Sequence, residues 1–318
     1  MQIIARRGAE DAEKTTADSS GGWGTSLRWW LSLFWLIGCL ATASAAFGAG
    51  EFSGQKAYDW TGKAVALGPR PPGSPAITKL QGMILAELKA QGWQVTDEAF
   101  QASTPMGPKT MHNLIGRLPG KSGKVVVFSG HYDTKVMEGF VGANDAGSST
   151  GMLLELARVL PSLPRRDDVI LAFFDGEEAF RFWTDTDSLY GSRYQAQKWQ
   201  KDRTLSKIKA LFNIDMVGDR DLKIIDEGNS SGSLRSLVRA SAIDLGYQKH
   251  FLVGPQAIED DHMPFIRMGV PAVDLIDFEY GPNNSWWHTP QDTMDKLSPK
   301  SFQVVGDVLV EVFKRLQR

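Results

Sequence analysis

Apolar positions along the chain fall into two spacings. Residues 75–91 place Ile77, Leu80, Ile84 and Leu88 at helical intervals. The stiff "PRPPGSP" precedes them, and Gly92 closes the segment. Short apolar runs occur next at 111–118, 124–130, 168–175, 209–218 and 272–277, and these read as strands. Helical stretches separate them at 148–160, roughly 189–201, 233–245 and 299–316. The runs at 124–130 and 168–175 are apolar on both faces, the mark of a mainly parallel sheet covered by helices. The alternation predicts an α/β fold: a three-layer sandwich with a central, mostly parallel mixed sheet. In such sheets ligands sit at the carboxyl ends of the strands.

That rule selects the candidate chemistry. His131, Tyr132 and Asp133 follow the 124–130 strand; Asp175, Gly176, Glu177 and Glu178 end the 168–175 strand; Asp215 ends the next. Asn144 and Asp145 stand before the 148–160 helix. Four polar groups thus land on one sheet edge. Two adjacent carboxylates at the mouth of a buried strand carry a desolvation cost unless a cation is near. One glutamate binding a metal and the other carrying a proton gives both a purpose. For the rest, plainer readings compete. His131 alone suits a structural imidazole with Asp133 as its orienting partner. Asp145 equally suits an N-cap. Asp260 suits a cap of a short helix leading into "PFIRMG", and His262 a hydrogen bond to an acid. His112 and His250 read as structural or exposed.

Composition narrows the picture. A net charge of -2 over 318 residues gives no sign of nucleic-acid binding. The single cysteine, Cys39, excludes an intramolecular disulfide and a thiolate metal site, so a metal falls to His, Asp and Glu. Residues 1–26 read as a polar, disordered leader on the cytoplasmic side. Residues 27–47 are apolar and long enough to cross a bilayer. Three readings stay open for that segment: a cleaved signal peptide, a retained anchor, or a lipoprotein leader with "LIGC" ending at Cys39. All three carry the downstream domain to the periplasm or the outside, with membrane attachment in the last two. From residue 54 to 318 the text reads as one catalytic domain, expected to be monomeric.

The ordered set His131, Asp145, Glu177-Glu178, Asp215 and His288 resembles the co-catalytic zinc aminopeptidases. The resemblance implies the phosphorylase/hydrolase-like fold of that family. It also implies one zinc held by His131, Asp145 and Asp215, a second by Asp145, Glu178 and His288, and Glu177 as general base. A sharper resemblance lies in "FFDGEEAFRFW…DSLYGSRY" (173–194), "IEDDHMPFIRMGVP" (258–271) and "WHT" (287–289). These are similar to the glutaminyl-peptide cyclotransferases, which share the aminopeptidase fold and bind one zinc. That likeness implies zinc on Asp145, Glu178 and His288, with Glu177 carrying the proton from the substrate α-amine to the leaving ammonia. It further implies an acidic wall of Asp215 and Asp260, and a glutamine pocket lined by Trp183 and Trp287 with Phe278 or Tyr280 nearby. His131 and Asp215 then stand as second-metal ligands or as supports behind the first. The substrates implied are peptide or protein N-termini.

Some features depart from the cyclase pattern. "GANDAGSST" and "NIDMVGD" stand closer to aminopeptidases, and Glu259 replaces a glutamine of the animal enzymes. The disulfide of secreted animal forms has no counterpart, which fits a bacterial enzyme. The resulting expectation is a one-zinc glutaminyl cyclase, with a two-zinc aminopeptidase as the alternative and a non-catalytic member of the fold as the remaining class.

Overall fold

The apolar runs become strands because each has a helix layer on both sides to bury it. A computed structural model describes residues 51–318. The leader at 1–26, the apolar segment at 27–47 and Cys39 lie outside the described residues. In chain order the elements are α1 (Gly54–Val65), α2 (Pro75–Ala90), β1 (Gln94–Thr104), β2 (Gly107–Leu118) and β3 (Val125–His131). Then come α3 (Gly147–Val159), β4 (Asp168–Phe174), α4 (Tyr190–Lys201), β5 (Ile208–Asp215) and β6 (Ile224–Glu227). The chain closes with α5 (Gly232–Asp244), β7 (Phe251–Gln256), α6 (Met263–Ile266), β8 (Ala272–Ile276) and α7 (Pro299–Leu316). Among the described residues, no helix is long and apolar enough to cross a membrane.

Six strands form one sheet in the order β1-β2-β4-β3-β5-β8. β4, β3, β5 and β8 run parallel, while β2 and β1 add an antiparallel edge. Side chains alternate between two cores, as strand geometry requires. Val126 and Phe128 of β3 face α1, α2, α3, α5 and α7; Val125 and Val127 face Trp199 of α4 and Phe265 of α6. The sandwich therefore has the three layers expected. α3 is buried along nearly its whole length. It lies so close to α1 that a Cβ on Gly151 would stand 2.2 Å from Thr61 Oγ1.

The predicted strands and helices all form, with ends shifted by a few residues. The run at 209–218 stops as a strand at Asp215, and Met216 turns to a positive φ of 46°. Four elements were not anticipated. α1 and the edge strand β1 carry few apolar residues in a regular spacing, and β1 buries only Phe100 and Ala102. β6 and β7 are short and pair in parallel as a separate two-stranded sheet. That small sheet brings Glu227 toward the sheet edge that carries the candidate chemistry.

Candidate active site

Each candidate side chain is delivered by a strand end or by the loop that leaves it. His131 is the last residue of β3 and Asp215 the last of β5; Glu177 and Glu178 follow β4 by three and four residues. The turn after β4 depends on Gly176. Its φ is +69°, and a Cβ there would sit 2.5 Å from Met111 Sδ. Asp133 then fixes the pair, accepting the amide of Glu177 at 3.1 Å and that of Glu178 at 3.4 Å.

Asp145 is not a helix cap. The N-cap of α3 is Ala146, with no side-chain capping bond. The Asp145–Ala146 peptide is cis. The loop before it is pinned from behind. Asp292 accepts the amides of Asn144 at 2.8 Å and Asp145 at 3.1 Å, and the Tyr280 hydroxyl at 2.6 Å. Burial pushes Asp292 up to about 7 against these hydrogen bonds. Gly142, at φ +52°, lets the loop close: a Cβ there would lie 2.0 Å from the Asp145 carbonyl oxygen. The buried Arg70 guanidinium donates to the carbonyls of Ala64, Gly68, Val141 and Gly142.

Two sets of donors converge on Asp145. His131 Nε2 lies 3.2 Å from Asp145 Oδ1 and 3.3 Å from Asp215 Oδ1. His288 Nε2 lies 3.2 Å from Asp145 Oδ2 and 3.0 Å from Glu178 Oε1. Within each set the ligand atoms are within 4.8 Å of one another. One imidazole nitrogen with two carboxylates, and an open side for substrate, is the donor chemistry of a catalytic zinc. Glu178 Oε1 is buried with no hydrogen-bond partner, as a ligand atom awaiting a cation would be. The residues present therefore fit the metal.

Electrostatics follow from this crowding. Burial opposes a charge on His288, yet Asp145 and Glu178 outweigh it and raise the ring to about 9. The same contest, won by Glu177, Asp133, Asp145 and Asp215, pushes His131 well above its ordinary value. Burial acts against ionised Asp145, but the two imidazoles hold it below the usual carboxylate range. Burial pushes Glu177 well up, with Glu178, Asp260 and Asp261 adding to it and His131 opposing. Burial, resisted by His131 and reinforced by the Asp260 charge, brings Asp215 up to about 7.

These groups open on a cavity of about 360 Å³, lined by Asp145, Glu177, Glu178, Asp215, Asp260 and His288 on the polar side. Trp183, Ile276, Phe278 and Trp287 supply apolar walls. Phe278, rather than Tyr280, takes the lining position; Tyr280 is buried behind, on Asp292. Trp287 stacks on the His288 ring, with centroids 4.0 Å apart. Trp183 reaches the cavity from the insert after the paired glutamates. Asp187 folds that insert by accepting the amides of Phe180, Arg181 and Phe182 at 2.9, 2.9 and 3.1 Å.

Every candidate site residue singled out in the sequence stands at this cavity or directly behind it. His112 and His250 do not: they pair with Asp97 and the Leu222 carbonyl. Four contributors were missed. Lys135 lies 3.0 Å from Glu178 Oε2 and lines the cavity, where burial opposes its charge but Glu178 raises its pKa. Asp292, Asp187 and Arg70 shape the loops. Nothing in "TPQDT" or "TDTDS" distinguishes these acids from surface ones, since each acts through backbone amides.

Comparison with known proteins adds to the geometry. The profile of peptidase family M28 matches residues 113–313. A glutaminyl-peptide cyclotransferase of Boiga irregularis is 33% identical over 280 residues, covering 76% of this chain and 75% of that protein. The crystal structure of an Acidobacteriales bacterium glutaminyl cyclase superposes with a TM-score of 0.81 at 40% identity, covering 86% of this chain and 97% of that one. A Zn-dependent exopeptidase from Parabacteroides distasonis superposes with a TM-score of 0.76 at 25% identity, covering 84% and 99%.

Proposed function

The chain belongs to peptidase family M28, and from that premise we propose that it is a zinc-dependent glutaminyl-peptide cyclotransferase, converting an N-terminal glutamine to pyroglutamate and ammonia. The observation that carries this reading is the sharing of one cavity by Asp145, Glu178 and His288, by the acids Glu177, Asp215 and Asp260, and by the Trp183 and Trp287 walls. The cavity suits one amide side chain, with acids placed for an amine.

Asp145, Glu178 and His288 would hold one zinc ion. Bound there, zinc supplies a Lewis acid for the glutamine γ-carbonyl. Trp183 and Trp287 flank the glutamine side chain and hold its carboxamide carbon close to its own α-amine. Attack within one molecule then draws on proximity, which is worth up to about 7–11 kcal/mol in well-oriented systems. The α-nitrogen forms a bond to the γ-carbonyl carbon, and the bond from that carbon to the amide nitrogen breaks. Glu177 takes the proton released by the α-amine and gives it to the departing nitrogen, which leaves as ammonia. Asp215 and Asp260 receive the amine and the leaving nitrogen. Lys135 balances the charge of Glu178.

Substrates on this reading are peptide or protein N-termini. We place the enzyme outside the cytoplasm, exported or anchored by residues 27–47, because that stretch is long and apolar. We expect the working unit to be a monomer. A second reading, a two-metal aminopeptidase, draws support from the complete His131–Asp145–Asp215 set. Incubation with Gln-X and Leu-X dipeptides separates them. Ammonia from Gln-X with the peptide bond intact is expected; free leucine from Leu-X without cyclisation would overturn the cyclase.

A further inference from the structure

Behind the acidic side of the cavity lies a second buried imidazole. His262 is fully buried in the loop before α6. Its Nε2 lies 3.2 Å from Glu227 Oε2, and its Nδ1 lies 3.9 Å from Asp274 Oδ2. Glu227, at the end of β6, is also fully buried. Its Oε2 accepts the Ser230 hydroxyl at 2.6 Å, and its Oε1 accepts the amides of Asn229 and Ile258 at 2.9 and 3.0 Å. Burial works against ionisation of Glu227, but His262, Ser230 and these amides outweigh it and bring it to about 2.

The far side of the ring is differently furnished. Asp274, in the middle of β8, accepts Asn213 Nδ2 on Oδ1 at 3.1 Å. Its own amide donates to Ser230 Oγ at 2.9 Å, so one hydroxyl ties Glu227 to β8. Asp274 Oδ2, Asp260 Oδ2 and both nitrogens of His262 have no hydrogen-bond partner. Donor atoms of Asp260, His262 and Asp274 fall within 4.8 Å of one another. The groups facing the ring are therefore Glu227 from β6, Asp274 from β8 and Asp260 from its own loop, with Asp215 of β5 next along.

Carboxylates packed together inside a protein must be paired, protonated or metal-bound. A neutral imidazole donates from one nitrogen only; an imidazolium donates from both. A ring whose two nitrogens each face an acid is matched by the charged form.

We propose that Glu227 and His262 form a buried carboxylate–imidazolium pair that supplies positive charge to the acidic side of the pocket and positions Asp260 and Asp274. His262 does not line the cavity, so it is a positioning residue acting through Asp260. The proposal rests on the cyclase reading, because its consequence is for Asp260 as the acceptor of the substrate amine. With the ring charged, the crowded acids around Asp260 are offset, and its unpartnered Oδ2 can receive the substrate amine. Without it, the acidic side of the pocket loses its buried positive charge and Asp260 is no longer positioned for the amine.

The test uses the zinc-loaded enzyme with ¹⁵N-labelled histidine. The His262 signals, identified by their loss in His262→Asn, are expected to show both ring nitrogens protonated at pH 7.5. Glu227→Gln keeps the shape and several hydrogen bonds while removing the charge. It is expected to return the ring to the neutral form and to lower kcat by about 10- to 100-fold, the range for partners that orient a functional group from behind. Zinc content should stay near wild type, while KM rises with the weakened hold on the substrate amine. Three results would overturn the proposal: a neutral His262 ring in the wild type, unchanged kcat in Glu227→Gln, or loss of a second metal equivalent in His262→Asn, which would make the cluster a cation site. If His262→Asn does not fold, the Glu227→Gln ring signal and kcat decide. A wild type that makes no pyroglutamate would sink the cyclase reading alone, since the ring signal is read without turnover.

Discussion

The set His131, Asp145 and Asp215 and the set Asp145, Glu178 and His288 share one carboxylate, yet they sit in different surroundings. The His131 side chain is 1% exposed, and its Nδ1 side faces Asp133 and Glu177 at 3.4 and 3.9 Å. The His288 side chain is 19% exposed, stacked on Trp287 and lining the cavity. His131 does not line it. The same three-donor chemistry is thus presented once as a wall and once as an opening. Of the two sets, only Asp145, Glu178 and His288 have all three side chains lining the cavity.

Asp145 is where the comparison breaks most completely. Asp145→Asn removes the carboxylate common to both sets, so zinc content should fall to background and activity with it. Elemental analysis and the ammonia assay read the two independently. A variant that keeps a full equivalent of zinc and its rate would show that neither set is the metal site.

Glu177→Gln asks a narrower question. The side chain stays near both sets but can no longer carry a proton. Zinc should remain, and kcat should drop by about 10²–10⁴, the contribution of a general base. Loss of metal instead would mean that the roles of Glu177 and Glu178 are reversed.

The same contrast governs how far the sequence could be read. The sheet was legible because β3 and β4 are apolar on both faces, and the rule of carboxyl-terminal strand ends then picked out His131, Glu177, Glu178 and Asp215. Those residues act with their own side chains at fixed strand ends. Asp292, Asp187 and Arg70 act on backbone groups, through loops whose closure depends on contacts 71 or more residues apart in the case of Arg70 and Val141, or on a local coil in the case of Asp187. Hydrophobic periodicity carries no trace of either. Glu227 was hidden for another reason: β6 is four residues long, too short for its period to show.

The pocket's outer wall should respond more mildly. Trp183 is 43% exposed, so Trp183→Ala removes a wall without opening the core. KM for a glutaminyl peptide should rise about tenfold, equivalent to about 1.4 kcal/mol, with zinc content unchanged. Asp187→Ala should reproduce the rise, because three amides of the insert lose a charged acceptor. Steady-state kinetics on both variants check this. A fall in kcat with KM unchanged would place Trp183 outside the binding step.

The smallest change is expected where the two sets differ most. If the metal belongs only to the opening, His131→Asn should leave zinc at one equivalent per chain, the same as the wild type, whatever its effect on rate through Asp145 and Asp215. The measurement is a zinc titration followed by gel filtration and elemental analysis, with Glu178→Gln as the control that loses the ion. A wild type holding two equivalents, reduced to one by His131→Asn, would make the wall a metal site as well. In that case the Leu-X assay becomes decisive, because a second ion beside Glu177 supplies the activated water that peptide hydrolysis requires. A constant single equivalent leaves His131 as an imidazole that braces Asp145 from behind, held by its four surrounding carboxylates.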